Sequence, residues 1–191
     1  MSMKKSIVAA ILCMPLLWGC GETDVKKAPQ MPVASKQASN AGEFRNPDYH
    51  GLIEEYRNLL EQDPHNLAAI IALGNAYFDS SDWKNANSMY AQALLIDPKN
   101  ADVRTDMGTA YRNRGMIGYA LAEYRTALKY EPEHLNARYN MGVIYATNKK
   151  EYREAIRIWE ELLNRAPNYP QAEKIRSMIS TLQKAHKKES R

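Results

Sequence analysis

The groups best suited to covalent chemistry lie near the start of the 191-residue chain. Its two cysteines, Cys13 and Cys20, both fall within the first twenty residues, so they cannot frame a disulfide-bonded domain further on. As a thiolate, either could act as a nucleophile. The four histidines, His50, His65, His134 and His186, are scattered without ligand spacing. The acidic pairs Glu54 with Glu55 and Glu160 with Glu161 fit solvated helix faces better than a paired acid and base. No phosphate loop, HExxH, CxxC pair or nucleophile elbow occurs. The expectation is a chain that is not an enzyme, with no metal, no cofactor and no small-molecule substrate.

Cys20 gains meaning from what precedes it. Lys4 and Lys5 lead into the apolar run from Ile7 to Trp18. That run is too short for a membrane span, which needs about 20 apolar residues. A positive start followed by a short apolar core reads as a secretory signal. It ends in Leu17, Trp18, Gly19 and Cys20, a leucine three places before a cysteine with a small residue directly ahead of it. This resembles the bacterial lipobox. The resemblance implies a signal peptide over residues 1–19, cleaved before Cys20, and acylation of the Cys20 thiol and of the new amine. Cys13 is a poor rival, because Leu12 precedes it and the apolar core would be truncated. Several acyl chains, at about 0.8 kcal/mol per buried methylene, make such an anchor effectively permanent. Gly21 follows the cysteine where lipoproteins kept in the inner membrane tend to carry Asp, so the expected location is the periplasmic side of the outer membrane.

Residues 20–45 are rich in Lys, Pro, Ala, Ser and Gln, with almost no apolar periodicity. Such a segment cannot bury enough surface to offset its ordering entropy, and a disordered tether reaching roughly 25–30 Å is expected. Loss of Lys4 and Lys5 with the leader leaves 24 basic against 22 acidic residues, a balance that gives no reason to invoke nucleic acid. The basic tail (Lys184, Lys187, Lys188, Arg191) reads as a solvated helix end.

From about residue 46 the chain repeats itself. Leu73, Gly74 and Tyr77 recur as Met107, Gly108 and Tyr111, then as Met141, Gly142 and Tyr145, each set offset by 34. Ala86, Tyr90, Ala93 and Pro98 recur as Ala120, Tyr124, Ala127 and Pro132 at the same offset. The third copy, Ala155, Trp159, Leu162 and Pro167, is offset by 35, placing one extra residue in a turn within residues 148–151. Subtracting 34 from the first copy reaches Leu52, Tyr56, Leu59 and Pro64, a lone second helix ahead of the array. The pattern resembles the tetratricopeptide repeat (TPR). The implied fold is all-α: a right-handed α-solenoid of about three TPR helix pairs over residues 46–167, with a preceding half repeat. Residues 168–191 follow as a C-terminal capping helix and basic tail.

The spacing has physical reasons. Glycine inside a helix costs about 1 kcal/mol relative to alanine, so three at matching places require close packing. The expected facing residues are Ala86, Ala120 and Ala155, with Tyr90, Tyr124 and Trp159 filling wider gaps between repeats. Prolines 98, 132 and 167 end each second helix, and Asn66 and Asn100 cap the helices that follow. Helices are predicted over 47–62, 66–79, 82–96, 100–113, 116–130, 134–147, 150–165 and 169–187. Ile175, Ile179 and Leu182 form one stripe on the last of them.

The TPR resemblance implies that partner peptides contact the second, fifth, ninth, twelfth and thirteenth positions of each first helix. From these come the candidate partner-binding residues Ile71, Asn75 and Phe78; Thr105, Thr109 and Arg112; and Asn136, Tyr139 and Val143. Asp79 and Asp102 occupy positions of the same set. Ile71, Phe78, Tyr139 and Val143 are apolar where the solenoid core is not expected to need them. The cations of a chaperone-type carboxylate clamp are replaced by Ile71, Asn136 and Asn140. Arg104 and Arg138 stand where the family places a large apolar residue, and their heads are expected to reach solvent.

The resulting expectation is a lipid-anchored scaffold or adaptor. It would bind a protein or peptide segment of an envelope protein and aid assembly of pilus, secretin or other envelope machinery. Two alternatives stand beside it. Tyr152, Trp159, Leu162, Leu163, Pro167, Ala172, Ile175 and Ile179 resemble the end of the TPR domain of cytochrome c maturation factors, which bind apocytochrome. The other alternative is a structural spacer that self-associates along its exposed faces.

Overall fold

The computed structural model describes residues 48–189, with side chains to residue 185. The leader, Cys20 and the segment to residue 45 lie outside the described residues. Eight helices follow one another: α1 Tyr49–Gln62, α2 Leu67–Asp79, α3 Trp83–Ile96, α4 Ala101–Asn113, α5 Ile117–Tyr130, α6 Leu135–Thr147, α7 Tyr152–Arg165 and α8 Ala172–Glu189. Each packs chiefly on its neighbours in sequence, as a solenoid requires. The pairs α2/α3, α4/α5 and α6/α7 are the three repeats, α1 is the half repeat and α8 the cap.

Most helices begin one residue after their predicted start because the first predicted residue is the cap. Asn66 Oδ1 accepts the Ala69 amide at 3.0 Å, Asn100 Oδ1 accepts that of Val103 at 3.0 Å, and Asp82 Oδ1 accepts that of Asn85 at 3.2 Å. These bonds satisfy amide donors that the first helical turn leaves free. The turns within repeats one and two span residues 80–82 and 114–116, whereas the third spans residues 148–151 and holds the extra residue. Each turn reverses through one residue of positive φ: Ser81 at 65°, Gly115 at 75° and Lys150 at 55°. Consequently α7 starts at Tyr152, two residues later than predicted. The last helix starts at Ala172 and not at residue 169, and Tyr169 is instead a buried part of the preceding turn.

The core runs through the stack as two clusters, both reached by Tyr111. One holds Ile70, Leu73, Tyr90, Val103 and Met107. The other holds Tyr124, Ile144, Ile158, Trp159, Leu162 and Ile175. Ile175 and Ile179 are buried and Leu182 is half-buried, so α8 caps the last repeat with the predicted stripe.

The glycines mark close helix crossings, and the atoms nearest to each belong to an aromatic ring. A Cβ on Gly74 would lie 2.8 Å from Tyr90 Cε1, and one on Gly108 would lie 2.7 Å from Tyr124 Cε1. On Gly142 it would lie 2.3 Å from Trp159 Nε1. The aromatic rings therefore cover the glycines of their own repeats, and Tyr90 and Tyr124 also belong to core clusters that include residues of the next repeat. Ala120 also approaches its glycine, through its carbonyl oxygen at 3.2 Å from the same Gly108 position.

Candidate protein-docking site

The first helices of the repeats, α2, α4 and α6, share one face. Among the described residues α4 packs directly on α6 across the repeat boundary, while no pair of second helices within the array makes equivalent contact. This draws α4 and α6 together along an inner face, the side on which stacked helix pairs of this kind also present α2.

The rings that cover the glycines also reach this face. The Tyr90 hydroxyl donates to Asn75 Oδ1 at 2.8 Å. One repeat on, Thr109 donates its own proton to the Thr105 carbonyl at 2.9 Å, so the Tyr124 hydroxyl donates to Thr109 Oγ1 at 3.0 Å. In the third repeat the equivalent position is Val143, which has no acceptor, and Trp159 Nε1 donates instead to the Tyr139 carbonyl at 3.2 Å. Each glycine thus admits an aromatic ring whose polar edge is satisfied at the inner face, and in the first two repeats that bond orients a side chain there. Asn136 is held the same way from the other end, accepting from the Tyr169 hydroxyl at 2.7 Å. With Oδ1 occupied, the amide N–H groups of Asn75 and Asn136 make no hydrogen bond among the described residues and face solvent.

The predicted partner-contacting residues separate into two groups. Asn75 and Asn136 are exposed, and Thr109 and Arg112 are half-buried on the same face. Arg112 has no ion-pair or hydrogen-bond partner among the described residues. Ile71, Phe78, Tyr139 and Val143 are not surplus to the core: all four are half-buried and pack against it. Tyr139 also packs on Tyr169, with ring centroids 6.0 Å apart. Thr105 is 3% exposed and its hydroxyl donates to the Ala101 carbonyl, so it offers nothing to a partner.

Two inner-face features were not anticipated. His134 caps α6: its Nδ1 accepts the Ala137 amide at 3.1 Å, which leaves the proton on Nε2 to donate to Asp102 Oδ1 at 2.9 Å. The position is that of Asn100 one repeat earlier and of Asn66 two repeats earlier, a clue that the spacing carried. Asp106 is the second. Its side chain is open to the inner face, yet protein surrounds the carboxyl on its other sides. Burial, then the charge of Asp102, push its pKa up to about 6; Asp79 adds to the rise and His134 opposes it. Burial raises Asp79 as well.

The arginines at the apolar family positions are also paired. Arg104 donates to Glu123 at 2.9 Å and, through Nη2, to the Pro98 carbonyl at 2.8 Å. Arg138, 7% exposed, donates to Glu161 at 2.8 Å and to the Pro132 carbonyl. Their heads do not project into solvent; they tie the loop after one second helix to the second helix of the next repeat. Glu161 also receives Arg165 at 3.2 Å and lies 3.6 Å from Arg157, so it is the hub of a cationic cluster and not merely a solvated charge.

Among the described residues no group of three metal-ligating side chains comes together, and no helix is long and apolar enough to cross a membrane.

A family profile for the tetratricopeptide repeat matches residues 105–173. No match was found among curated proteins. The chain is similar to the crystal structure of MamA, with 18% identity and a TM-score of 0.60 over 75% of this chain and 91% of that one. It is similar to a tetratricopeptide repeat protein from Parabacteroides merdae ATCC 43184, with 22% identity and a TM-score of 0.63 over 73% of this chain and 56% of that one. MamA 41-end from Desulfovibrio magneticus RS-1 follows at 16% identity and a TM-score of 0.58, over 61% of this chain and 66% of that one. The chain has the all-α fold of a tetratricopeptide-repeat solenoid.

Proposed function

We propose that this chain is a lipid-anchored adaptor, tied to the cell envelope through Cys20, whose inner face holds a segment of a partner protein during assembly of an envelope complex. The observation that carries the binding half is the pair of tyrosine-oriented asparagines: Asn75 and Asn136 keep amide donors aimed outward that the fold itself does not use. Such donors suit the carbonyls of a bound backbone. The anchoring half rests on the Leu17, Trp18, Gly19, Cys20 sequence after a short apolar run.

Site-specific photo-crosslinking in cells tests the first half. A photoreactive residue at Asn75, Thr109 or Asn136 is expected to give discrete adducts with an envelope protein, while one at Leu95, 83% exposed on α3, gives none. Equal labelling from Leu95 would remove the inner face as the docking surface. Incorporation of labelled palmitate, lost in Cys20→Ser, tests the second half. Incorporation that persists in that variant would refute the anchor.

A further inference from the structure

The two ends of the solenoid are finished differently. At one end α8 buries Ala172, Ile175 and Ile179 and exposes Glu173, Arg176, Ser177 and Ser180, the polar outer surface that a terminal helix needs. At the other end α1 is the one described helix with no buried residue. It is nevertheless built as the second helix of a repeat. Asp48 caps it in the register where Asp82 caps α3. Arg57 donates to the Tyr77 hydroxyl of α2 at 2.7 Å, just as Arg125, 68 residues on, donates from α5 to the Tyr145 hydroxyl of α6 at 2.8 Å. The two helices thus meet the following repeat alike and differ on the side that faces their own first helix. On α5 that side holds Ala120, Tyr124 and Ala127, each 0% exposed, and the matching residues of α3 and α7 are at most 2% exposed. On α1 the same register holds Leu52, 37% exposed, with Tyr56 and Leu59 half-buried. Leu52 and Leu59 pack against neither core cluster.

What covers this register elsewhere in the chain specifies what fits. In each complete repeat it is the preceding helix, with a glycine so close over the aromatic ring that a Cβ would lie 2.8 Å or less from it. In two of the three repeats that helix also brings a cation one turn before the glycine. Arg104 precedes Gly108 by four residues and meets Glu123 at 2.9 Å; Arg138 precedes Gly142 by four and meets Glu161 at 2.8 Å. On α1 the register of Glu123 belongs to Glu55, which is exposed and has no ion-pair partner among the described residues. We infer that α1 receives a helix of a partner protein, lying antiparallel on Leu52, Tyr56 and Leu59, with a small residue against Tyr56 and, one turn earlier, a lysine or arginine against Glu55. The docked helix takes the place of the first helix of a fourth repeat, ahead of α2. Apolar cover makes the occupant an amphipathic helix, and Glu55 selects the basic one. The site uses none of the inner-face residues, so its test is separate from theirs.

The test uses the full chain and a fluorescein-labelled peptide of the α4 sequence, Ala101–Asn113, held helical by a lactam bridge because so short a helix is marginal alone. Saturable binding by fluorescence anisotropy is expected below about 1 mM. In the peptide, Gly108→Leu should weaken binding at least about tenfold, and Arg104→Glu about three- to tenfold. In the chain, Leu52→Glu should weaken it at least about tenfold with an unchanged thermal midpoint. Glu55→Arg should weaken the parent peptide yet restore most of the affinity of the Arg104→Glu peptide, a reciprocal pattern that direct pairing gives. Glu61→Arg, also exposed on α1 but off this face, should leave both affinities unchanged. No binding of the parent peptide at about 1 mM, equal affinity for the Gly108→Leu peptide, or no recovery in the charge swap would overturn the inference. A dimer of the full chain abolished by Leu52→Glu would overturn it in favour of a second copy. Affinity that rises when residues 21–45 are deleted would overturn it in favour of that segment.

Discussion

Replacing Gly142 by alanine tests the packing principle of the repeat directly. In an unconstrained helix the change is favourable by about 1 kcal/mol, since alanine restricts the unfolded chain and suits the helix. Here the added Cβ would sit 2.3 Å from Trp159 Nε1, 2.6 Å from Cδ1 and 2.7 Å from Cε2. Carbon atoms in contact prefer about 3.5–4.0 Å, so the ring or the helix must move by roughly 1 Å. Trp159 is 0% exposed, so it has no free space to enter. Moving it also strains the bond to the Tyr139 carbonyl, worth about 1 kcal/mol. Overpacking of this kind costs about 1–3 kcal/mol, and more when a buried hydrogen bond goes with it. The net expectation is a loss of about 1–3 kcal/mol. Gly118→Ala is the internal control, because a Cβ there meets nothing within 4 Å and the substitution should stabilise by up to about 1 kcal/mol. Urea unfolding followed by far-UV circular dichroism reads both as midpoint shifts of opposite sign. Combining Gly142→Ala with Trp159→Leu should cancel most of the glycine effect within a double-mutant cycle, although Trp159→Leu itself is costly. A raised midpoint for Gly142→Ala, matching that of Gly118→Ala, would refute the close-crossing argument.

Further outcomes are expected. Ser81→Gly should stabilise by about 0.5–1 kcal/mol, because φ is 65° there and the left-handed region costs a side chain about that much; an unchanged thermal midpoint would contradict it. His134→Asn should keep the cap on Ala137 and shift stability by about 0.5 kcal/mol or less, whereas His134→Ala should cost about 1–2 kcal/mol; equal losses in thermal melts would show that the Asp102 bond, not the cap, is what matters. Asp106→Asn carries a pH signature. The folded pKa of about 6 exceeds the usual value of about 3.9, so the ionised carboxylate penalises the folded state at neutral pH and the penalty fades as pH falls through 6 toward 4. Allowing for screening on the open face, the variant should gain about 1 kcal/mol near pH 7.5 and nothing near pH 4; a pH-independent gain would exclude the charge as the cause. Arg138→Lys should cost about 1–3 kcal/mol by giving up the joint hold on Glu161 and the Pro132 carbonyl, and an unaltered urea midpoint would argue against the loop tie.

The local pattern of this chain is short-range physics, and the sequence carries it openly. Glycines, aromatics and prolines recurring every 34 residues, with one extra residue in the third copy, dictate helix positions, caps and stacking order, because each depends on neighbours within one repeat. Asn66 and Asn100 could be read as caps for that reason. His134 held the same register but was missed, since its capping nitrogen is not the oxygen that the pattern teaches one to expect. What the tertiary structure alone decided is where side chains meet across helices. Spacing could say that Gly142 needs a close neighbour, but not that the nearest atoms belong to the Trp159 ring, because that depends on the rotation of one helix about its axis relative to another. The same holds for Arg138, whose head turns back to the Pro132 carbonyl and Glu161. It holds again for Asp106, an ordinary helical aspartate in sequence, which is unusual only because stacking brings Asp79, Asp102 and the walls of the inner face around it.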